Sequence, residues 1–238
     1  MTQTMVPVIF DLDGTLVDPA GGITGGIAAA LREMGLRVPE QAVLDSMVGP
    51  KLSDSLEHIA GVPAAKVDEV IGLYRGYYRS VGIGQSRLYP GIRELLEFFA
   101  ESRRPVAVAT QKPQGLAHVV LEHHGIADFF ASICGASDDE SMAANTAPGK
   151  VAIVGAALAT LRSQPAVMVG DRHQDVAGAM ANGLDCIGVS WGFAPDGELQ
   201  EAGAVAVVDT AEQLLKKIEE LDAVRAAALS EVQNDGSL

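Results

Sequence analysis

The chain has 238 residues, of which 48% are hydrophobic, and its 17 basic and 31 acidic residues give a formal net charge of −14. This acidity disfavours nucleic acid and anionic membranes as partners, because both repel negative charge. The sequence lacks a signal-peptide pattern and a continuous apolar run of about 18 residues, so we expect a cytoplasmic protein with no membrane association.

The first element is a short apolar run, Val6–Phe10, which predicts a buried strand at the start of an α/β sheet. Asp11 and Asp13 follow it directly, and the alternation of side chains along an extended chain places both carboxylates on the same side. A bound cation would relieve their repulsion, and oxygen ligands beside a tight turn at Gly14 favour Mg²⁺. An Asp-x-Asp-Gly motif alone is more often an ordinary polar turn, so the residues that accompany it decide.

The next part of the chain is predicted to be an all-helical cap over residues 17–86. Apolar residues recur there at helical spacing, and prolines that favour a helix start precede or open three of the segments. The predicted helices are Ile23–Met34, Pro39–Val48, Lys51–Ile59 and a fourth that begins at Pro63. No strand-like run occurs between residues 39 and 86.

Strand-like and helical segments then alternate along the chain. The apolar runs predicted as strands are Pro105–Thr110, Ser132–Gly135, Ala166–Gly170, Cys186–Val189 and Ala204–Val208. Alternation at this spacing is typical of a doubly wound parallel sheet, a Rossmann-like α/β fold. The predicted core therefore comprises residues 1–16 and 87–228, with a last helix over Ala211–Ala228, and residues 229–238 are expected to be a frayed tail.

Six polar residues are predicted to meet at one edge of this sheet, because the carboxyl ends of parallel strands lie together there. Ligands of such sheets bind beyond that edge. Three of them follow predicted strands, one ends a strand, one begins a helix, and Asp175 lies one helical turn after Asp171. They are Asp11, Asp13, Thr110, Lys150, Asp171 and Asp175. Their convergence by topology is far less expected by chance than any one of the motifs taken alone.

These residues resemble the motifs of the haloacid dehalogenase-like (HAD) superfamily of phosphohydrolases, and the resemblance covers essentially the whole chain apart from its tail. The matching motifs are Asp11–Thr15, Thr110–Pro113, Lys150 and Gly170–Asp175. The second motif departs from the family pattern, which more often has Ser or Asn at the position of Gln111. The chain is most similar to the phosphoglycolate phosphatase-like branch, in which a helical cap is inserted after the first strand.

The resemblance implies a Mg²⁺-dependent phosphatase that hydrolyses a small phosphomonoester, such as phosphoglycolate, a nucleotide or a sugar phosphate. Asp11 would attack phosphorus and form an aspartyl-phosphate, and Asp13 would serve as general acid and then general base. Asp11, the backbone carbonyl of Asp13 and Asp171 would hold the Mg²⁺ ion. Asp175 would lie behind these ligands and orient Lys150 or metal-bound water.

The same resemblance assigns phosphate binding to Thr110 and Lys150, with the lysine acting as a positive point charge. Substrate specificity is expected from the cap, where Lys51 is a candidate for binding a second anionic group. An exposed lysine at a helix N-terminus is the alternative for that residue. Arg172 lies between two acids and either contacts the substrate or balances their charge. Lys112 is expected to be a surface lysine at a helix start and receives no role.

Two alternative functions stay open at this point. A phosphomutase uses the same acids to pass a phosphoryl group to a sugar, and a non-catalytic phosphate-sensing or signalling module also combines acids, a threonine and a lysine on a parallel sheet. A dehalogenase is disfavoured by Asp13, because attack on carbon needs no acid for the leaving group. The expected partner is a small phosphorylated metabolite, bound by a monomer or a homodimer.

Overall fold

A computed structural model of the chain describes residues 5–19, 21–138, 149–161 and 166–235. Its organising element is the strand β1 (Val8–Phe10), whose three side chains are fully buried. β-branched and aromatic side chains favour an extended chain, and burial on both faces is typical of a central parallel strand. The prediction of a buried first strand is confirmed.

The chain between β1 and the rest of the sheet is mainly helical. It begins with the short strand β2 (Val17–Asp18). The helices that follow are α1 (Gly22–Glu33), α2 (Gln41–Ser46), α3 (Leu52–Asp54), α4 (Ala64–Tyr77) and α5 (Ile83–Gln85). Single π-helical turns continue α3 over Ser55–Ile59 and α4 over Tyr78–Gly82.

A two-stranded ribbon marks both ends of this helical unit. The strand β3 (Arg87–Leu88) pairs antiparallel with β2, so that Val17 lies opposite Leu88. This ribbon was absent from the sequence-based prediction, because two-residue strands are too short to show an alternating pattern. It brings the entry and the exit of the helical unit together beside the main sheet.

The remaining elements alternate between helices and strands. In chain order they are α6 (Ile92–Glu101), β4 (Val106–Pro113), α7 (Gln114–His123), β5 (Ser132–Ala136), α8 (Lys150–Leu161), β6 (Val167–Gly170), α9 (His173–Ala181), β7 (Asp185–Val189), α10 (Glu198–Ala202), β8 (Ala206–Val208) and α11 (Ala211–Asp235). A single 3₁₀ turn, Ala127–Phe129, precedes β5. The strand-helix alternation predicted from the sequence is confirmed.

Six strands form one parallel sheet in the order β5-β4-β1-β6-β7-β8. Phe10 of β1 pairs with Val108 of β4 on one side and with Val169 of β6 on the other. Strand order therefore runs in opposite directions away from β1, and the carboxyl ends of β1, β4 and β6 meet at this switch point. The doubly wound α/β fold class is confirmed.

Hydrophobic side chains pack on both faces of the sheet. Val8 and Phe10 belong to the larger cluster, which continues into the helical unit, whereas Ile9 faces the opposite cluster with Met168 and Val154. This division follows from the two-residue period of a strand. The sheet is therefore covered on both sides, and the carboxyl ends of its strands offer the opening for a site.

The last helix is longer than predicted. The structure continues α11 to Asp235, beyond the expected end at Ala228, because the first helix-breaking residue after that point is Gly236. Residues 229–235 thus belong to α11, and residues 236–238 of the predicted tail lie outside the described part of the chain. Within the described ranges, no helix is both long and apolar enough to span a bilayer.

Candidate active site

The two N-terminal acids lie at the carboxyl end of β1 and line one cavity. Both carboxylates are largely withdrawn from solvent, since Asp11 is 5% and Asp13 is 7% exposed. The backbone turns at Gly14 with a φ of 88°, a conformation that favours glycine. A Cβ atom there would also overlap the carboxylate of Asp171. Glycine is therefore needed both for the turn and for the close approach of two strand ends.

Asp171 follows β6, is fully buried and has both of its oxygens held in place. Thr15 Oγ1 donates to Oδ1 at 3.2 Å, and the backbone N–H of Phe193 donates to Oδ2 at 2.8 Å. Trp191 Nε1 donates in turn to the backbone oxygen of Thr15 at 3.1 Å. The turn after β1 and the loop after β7 thus fix the position of the third acid.

Lys150 connects the acids of two different strands. Its Nζ lies 2.5 Å from Asp11 Oδ1, 2.6 Å from Asp175 Oδ1 and 2.7 Å from the backbone oxygen of Ala109. An ammonium group has three N–H donors, so these acceptors satisfy it. Asp175 is fixed as well, because its Oδ2 accepts a hydrogen bond of 3.0 Å from the backbone N–H of Arg172. The structure therefore brings the lysine and these acids into one buried group.

Thr110 reaches the same cavity from β4. It is buried, and it lines the cavity together with Asp11 and Asp13. Its Oγ1 accepts a hydrogen bond of 3.1 Å from the backbone N–H of Lys112. The hydroxyl hydrogen is not used in that bond and can be donated to an anion. All six residues that the sequence placed at this edge of the sheet thus meet there.

Burial dominates the electrostatics of these acids. It raises the pKa of Asp11 to about 7, with Lys150 opposing the rise and Asp175 adding to it. Burial also raises the pKa of Asp171 well above its usual range, and the neighbouring carboxylates add to that rise. The pKa of Lys150 is raised, because the attraction of Asp11 and Asp175 outweighs the effect of its burial. A bound cation would favour the charged form of each acid.

Three of the carboxylates form a group that could hold a metal ion. Oxygens of Asp11, Asp171 and Asp175 lie within 4.8 Å of one another. The carboxylate of Asp13 lies outside this group, and its Oδ1 is buried without a hydrogen-bond partner among the described residues. An all-oxygen donor set beside a tight turn fits Mg²⁺. The residues present are therefore compatible with the ion expected from the sequence.

Lys112 is a residue of this site to which the sequence analysis gave no role. The expectation of a surface lysine at a helix start is wrong, since Lys112 is 8% exposed and its Nζ lies 2.6 Å from Asp13 Oδ2. The same ammonium lies 4.6 Å from the ring centroid of Tyr78, on the helical unit. The physical reason is that β4 continues through an irregular register to Pro113 instead of ending at Thr110. The i, i+2 spacing of Thr110 and Lys112 was the available sequence signal, because it places both side chains on the same side of an extended strand.

The cavity at the acid pair has a volume of about 50 Å³. The core supplies its polar wall, and the helical unit supplies a largely apolar wall. The residues from the helical unit are Ile23, Met47, Val48, Gly49, Pro50, Leu52 and Tyr74. Among the described residues, the lining thus includes both chain neighbours of Lys51 but not Lys51 itself. The cation in the lining is Lys112, from the core.

Arg172 lies at the boundary between the core and the helical unit. Its Nη1 donates to the backbone oxygen of Val48 at 2.7 Å, and its Nε donates to Glu198 Oε1 at 3.0 Å. Burial would raise the pKa of Glu198, but hydrogen bonds from the backbone of His173 and from Arg172 lower it overall. The sequence analysis weighed substrate contact or charge balance for Arg172 and did not consider a contact with the cap. That contact joins residues 124 positions apart.

The fold and the site together define the HAD-like class of proteins. Members of this class have a parallel sheet with an Asp-x-Asp turn after its first strand and a helical insert behind that turn. A lysine and a third acid face the turn. The chain belongs to the haloacid dehalogenase-like hydrolase family, whose family model matches residues 8–189. The resemblance noted from the sequence motifs is therefore confirmed.

Relatives and solved structures match over most of the chain. Tyrosine-protein kinase PtkA of Mycobacterium tuberculosis is 40% identical over 188 residues, which cover 78% of this chain and 62% of that protein. A 5′-nucleotidase of Pseudomonas aeruginosa is 34% identical over 195 residues, covering 81% of this chain and 86% of that protein. The crystal structure of a predicted phosphatase from Clostridium acetobutylicum has a TM-score of 0.82 at 34% identity, covering 91% of this chain and 100% of that one. The chain thus spans less than two thirds of the mycobacterial relative.

Proposed function

We propose that the chain is a Mg²⁺-dependent phosphatase that hydrolyses a small phosphomonoester through an aspartyl-phosphate. One observation carries this proposal: Asp11, Asp171 and Asp175 lie within 4.8 Å of one another, and Lys150 contacts two of them. Phosphoryl transfer requires positioned groups that neutralise charge around phosphorus, and this arrangement supplies them. The 34% identity to a protein named 5′-nucleotidase supports the same reaction class.

The reaction would take place in two steps at phosphorus. In the first step, a carboxylate oxygen of Asp11 bonds to phosphorus while the ester P–O bond breaks, and Asp13 gives a proton to the leaving oxygen. In the second step, Asp13 takes a proton from a water molecule, whose oxygen bonds to phosphorus and releases the Asp11 carboxylate. Asp13 suits both steps because it lines the same cavity as Asp11, one residue further along the chain.

Asp11, the backbone carbonyl of Asp13 and Asp171 would hold the Mg²⁺ ion, and Asp175 would hold Lys150 from the other side. When bound, the ion would neutralise the phosphoryl oxygens and the clustered acids. Thr110 would donate its hydroxyl hydrogen to a phosphoryl oxygen. Lys150 would turn part of its hydrogen bonding from Asp11 to the phosphoryl group, since its Nζ already lies beside the attacking carboxylate.

The substrate would be a small phosphorylated metabolite that enters as a free molecule. The helical unit covers one side of the cavity beside Asp11 and Asp13, and this wall would limit the size of the leaving group. The wall is mainly apolar, with Met47, Val48 and Leu52 near the acids, so charged groups on the leaving side would face Lys112 instead. Larger substrates would require the cap to open further.

The direct test is phosphate release from a generic aryl phosphate, measured with Mg²⁺ and with a chelator. We expect turnover with Mg²⁺, loss of turnover with the chelator, and loss in Asp11→Asn. Turnover by Asp11→Asn comparable to that of the unaltered chain would remove Asp11 as the nucleophile. One stable phosphoryl group per chain, without release of phosphate, would favour the signalling alternative.

A second candidate function is transfer of the phosphoryl group to an acceptor other than water. The 40% identity to a protein named tyrosine-protein kinase supports it, as does the use of the same acids by a phosphomutase. The buried position of Asp11 opposes a bulky acceptor while the cap is closed. The two candidates separate in an assay that follows labelled phosphate from the donor, because hydrolysis yields inorganic phosphate and transfer yields a labelled tyrosine peptide or sugar.

A further inference from the structure

Two core side chains bind one loop of the cap through consecutive backbone carbonyls. Arg172 Nη1 donates to the backbone oxygen of Val48 at 2.7 Å, and Gln111 Nε2 donates to the backbone oxygen of Gly49 at 2.8 Å. The two donors come from different strand ends, after β6 and within β4 respectively. The loop over residues 47–50 is therefore held from two directions.

The guanidinium of Arg172 is also held by a contact within the core. Arg172 is 6% exposed, and its Nε donates to Glu198 Oε1 at 3.0 Å. The same carboxylate oxygen accepts the backbone N–H of His173 at 2.8 Å. A guanidinium has a rigid planar arrangement of donors, so holding Nε sets the direction in which Nη1 points.

The loop itself is shaped to accept this arginine. Gly49 has a φ of +101°, and a Cβ atom at that position would lie 3.1 Å from Arg172 Cγ. An alanine would therefore be strained in its backbone and would press on the arginine side chain. Val48 and Gly49 also line the cavity that contains Asp11 and Asp13.

We propose that Arg172, Gln111 and Glu198 form a clamp that closes residues 47–50 over the reacting phosphoryl group and so positions the wall against the leaving group. Arg172 is the chain neighbour of Asp171, and Gln111 is the neighbour of Thr110. The position of the cap loop is thus tied to the strand ends that carry the site. These three are positioning residues. The contact between the clamp and the cap loop does not depend on the proposed phosphatase function, and only the effect of the clamp on catalysis rests on that function.

The clamp is tested first without any substrate, by backbone hydrogen exchange in the full chain. Arg172→Lys keeps the positive charge beside Asp171 but cannot bind Glu198 and Val48 through one planar fork. We expect exchange of the backbone amides of residues 47–49 to become at least about tenfold faster in Arg172→Lys, Gln111→Ala and Gly49→Ala, because local opening exposes these amides. Arg32→Lys, at an exposed arginine of α1, is the matched control.

The KM for substrate provides a second measurement, which would not change if the contact had only a structural role. We expect Arg172→Lys to raise KM for an aryl phosphate at least about fivefold with a smaller loss in kcat, because the loop encloses the leaving group and does not touch phosphorus. Glu198→Gln keeps an acceptor for Arg172 and should give a smaller change than Glu198→Ala.

Unchanged amide exchange over residues 47–49 in Arg172→Lys and Gln111→Ala, with the fold intact by circular dichroism, would overturn the clamp. So would a Glu198→Ala variant that retains the KM and the exchange rates of the unaltered chain. Accelerated exchange in a chain that releases no phosphate would overturn the proposed function and support the clamp. The two proposals therefore fail in distinguishable ways.

Discussion

Lys112 Nζ lies 2.6 Å from Asp13 Oδ2, and both side chains are buried at the wall of the cavity. Replacing Lys112 by Met would leave a buried carboxylate beside an apolar side chain, which disturbs both its orientation and its exchange of protons. We expect Lys112→Met to lower kcat about 10- to 100-fold, as measured by phosphate release. Lys66→Met, at an exposed lysine of α4, should change kcat less than twofold, and equal effects of the two changes would refute a role for Lys112.

Replacing Asp11 by Asn separates catalysis from folding. The amide cannot attack phosphorus as a carboxylate does, so we expect kcat to fall at least about 10³-fold. The change also removes a buried negative charge from the neighbourhood of Asp171 and Asp175, so the metal-free protein should melt at the same or a higher temperature. Phosphate release and thermal unfolding in a chelator measure the two effects. A large drop in melting temperature would show that Asp11 is needed for the fold.

Stability in the absence of metal should fall as the pH rises. Burial raises the pKa of Asp11 from an ordinary value of 3.8 to about 7 in the folded chain. Between these two values the folded chain retains a proton that the unfolded chain has released, so the free energy of unfolding decreases with increasing pH across that window.

Mg²⁺ should reverse this trend, because it binds the ionised carboxylates and must displace the retained proton. We expect the rise in Tm on adding Mg²⁺ to be larger near about pH 8 than near about pH 5.5. Asp11→Asn should lose most of the difference. An equal rise in Tm at both pH values in the unaltered chain would contradict the coupling between the proton and the metal.

A buried ion pair far from the cavity should affect stability alone. Arg104 Nη2 lies 2.6 Å from Asp222 Oδ2, and both groups also bind the backbone of Val6. Asp222→Ala would leave the arginine charge buried, which costs about 3–5 kcal/mol of unfolding free energy. Denaturant unfolding measures this loss, and kcat at a temperature where the variant is folded should stay within about twofold of the unaltered value. Glu220→Ala removes the exposed pair with Lys217 and should cost less than about 1 kcal/mol.

The wall contributed by the cap should set the size of the leaving group. Leu52 lines the cavity, whereas the lining among the described residues does not include its neighbour Lys51. Leu52→Ala removes side-chain atoms from the wall and so enlarges the cavity. We therefore expect kcat/KM for a bulky leaving group to rise about tenfold relative to that for a compact one. A panel of phosphorylated metabolites measures the ratio. If Lys51→Ala shifts the preference order and Leu52→Ala does not, the cavity wall is not the determinant.

Much of the architecture could be predicted from local patterns. The apolar run before Asp11, the prolines that start helices, and the alternation of strands with helices all act over a few residues, so they are visible in the sequence. The prediction failed where a strand continued past its regular part, because Lys112 lies in an irregular extension of β4 that no periodicity marks. It failed again at the end of α11, where no breaking residue precedes Gly236.

By itself, the sequence determined a doubly wound parallel sheet, a helical insert, and six polar residues gathered at the carboxyl ends of the central strands. Parallel topology is sufficient for that last step, since it brings all strand ends to one edge. Only the tertiary structure decided how the insert sits on the core. The contacts of Lys112 with Asp13, of Gln111 with Gly49 and of Arg172 with Val48 join residues 99, 62 and 124 positions apart. The first contact lies within the core and the other two join the core to the insert. All three depend on packing between distant parts of the chain, which no local pattern encodes.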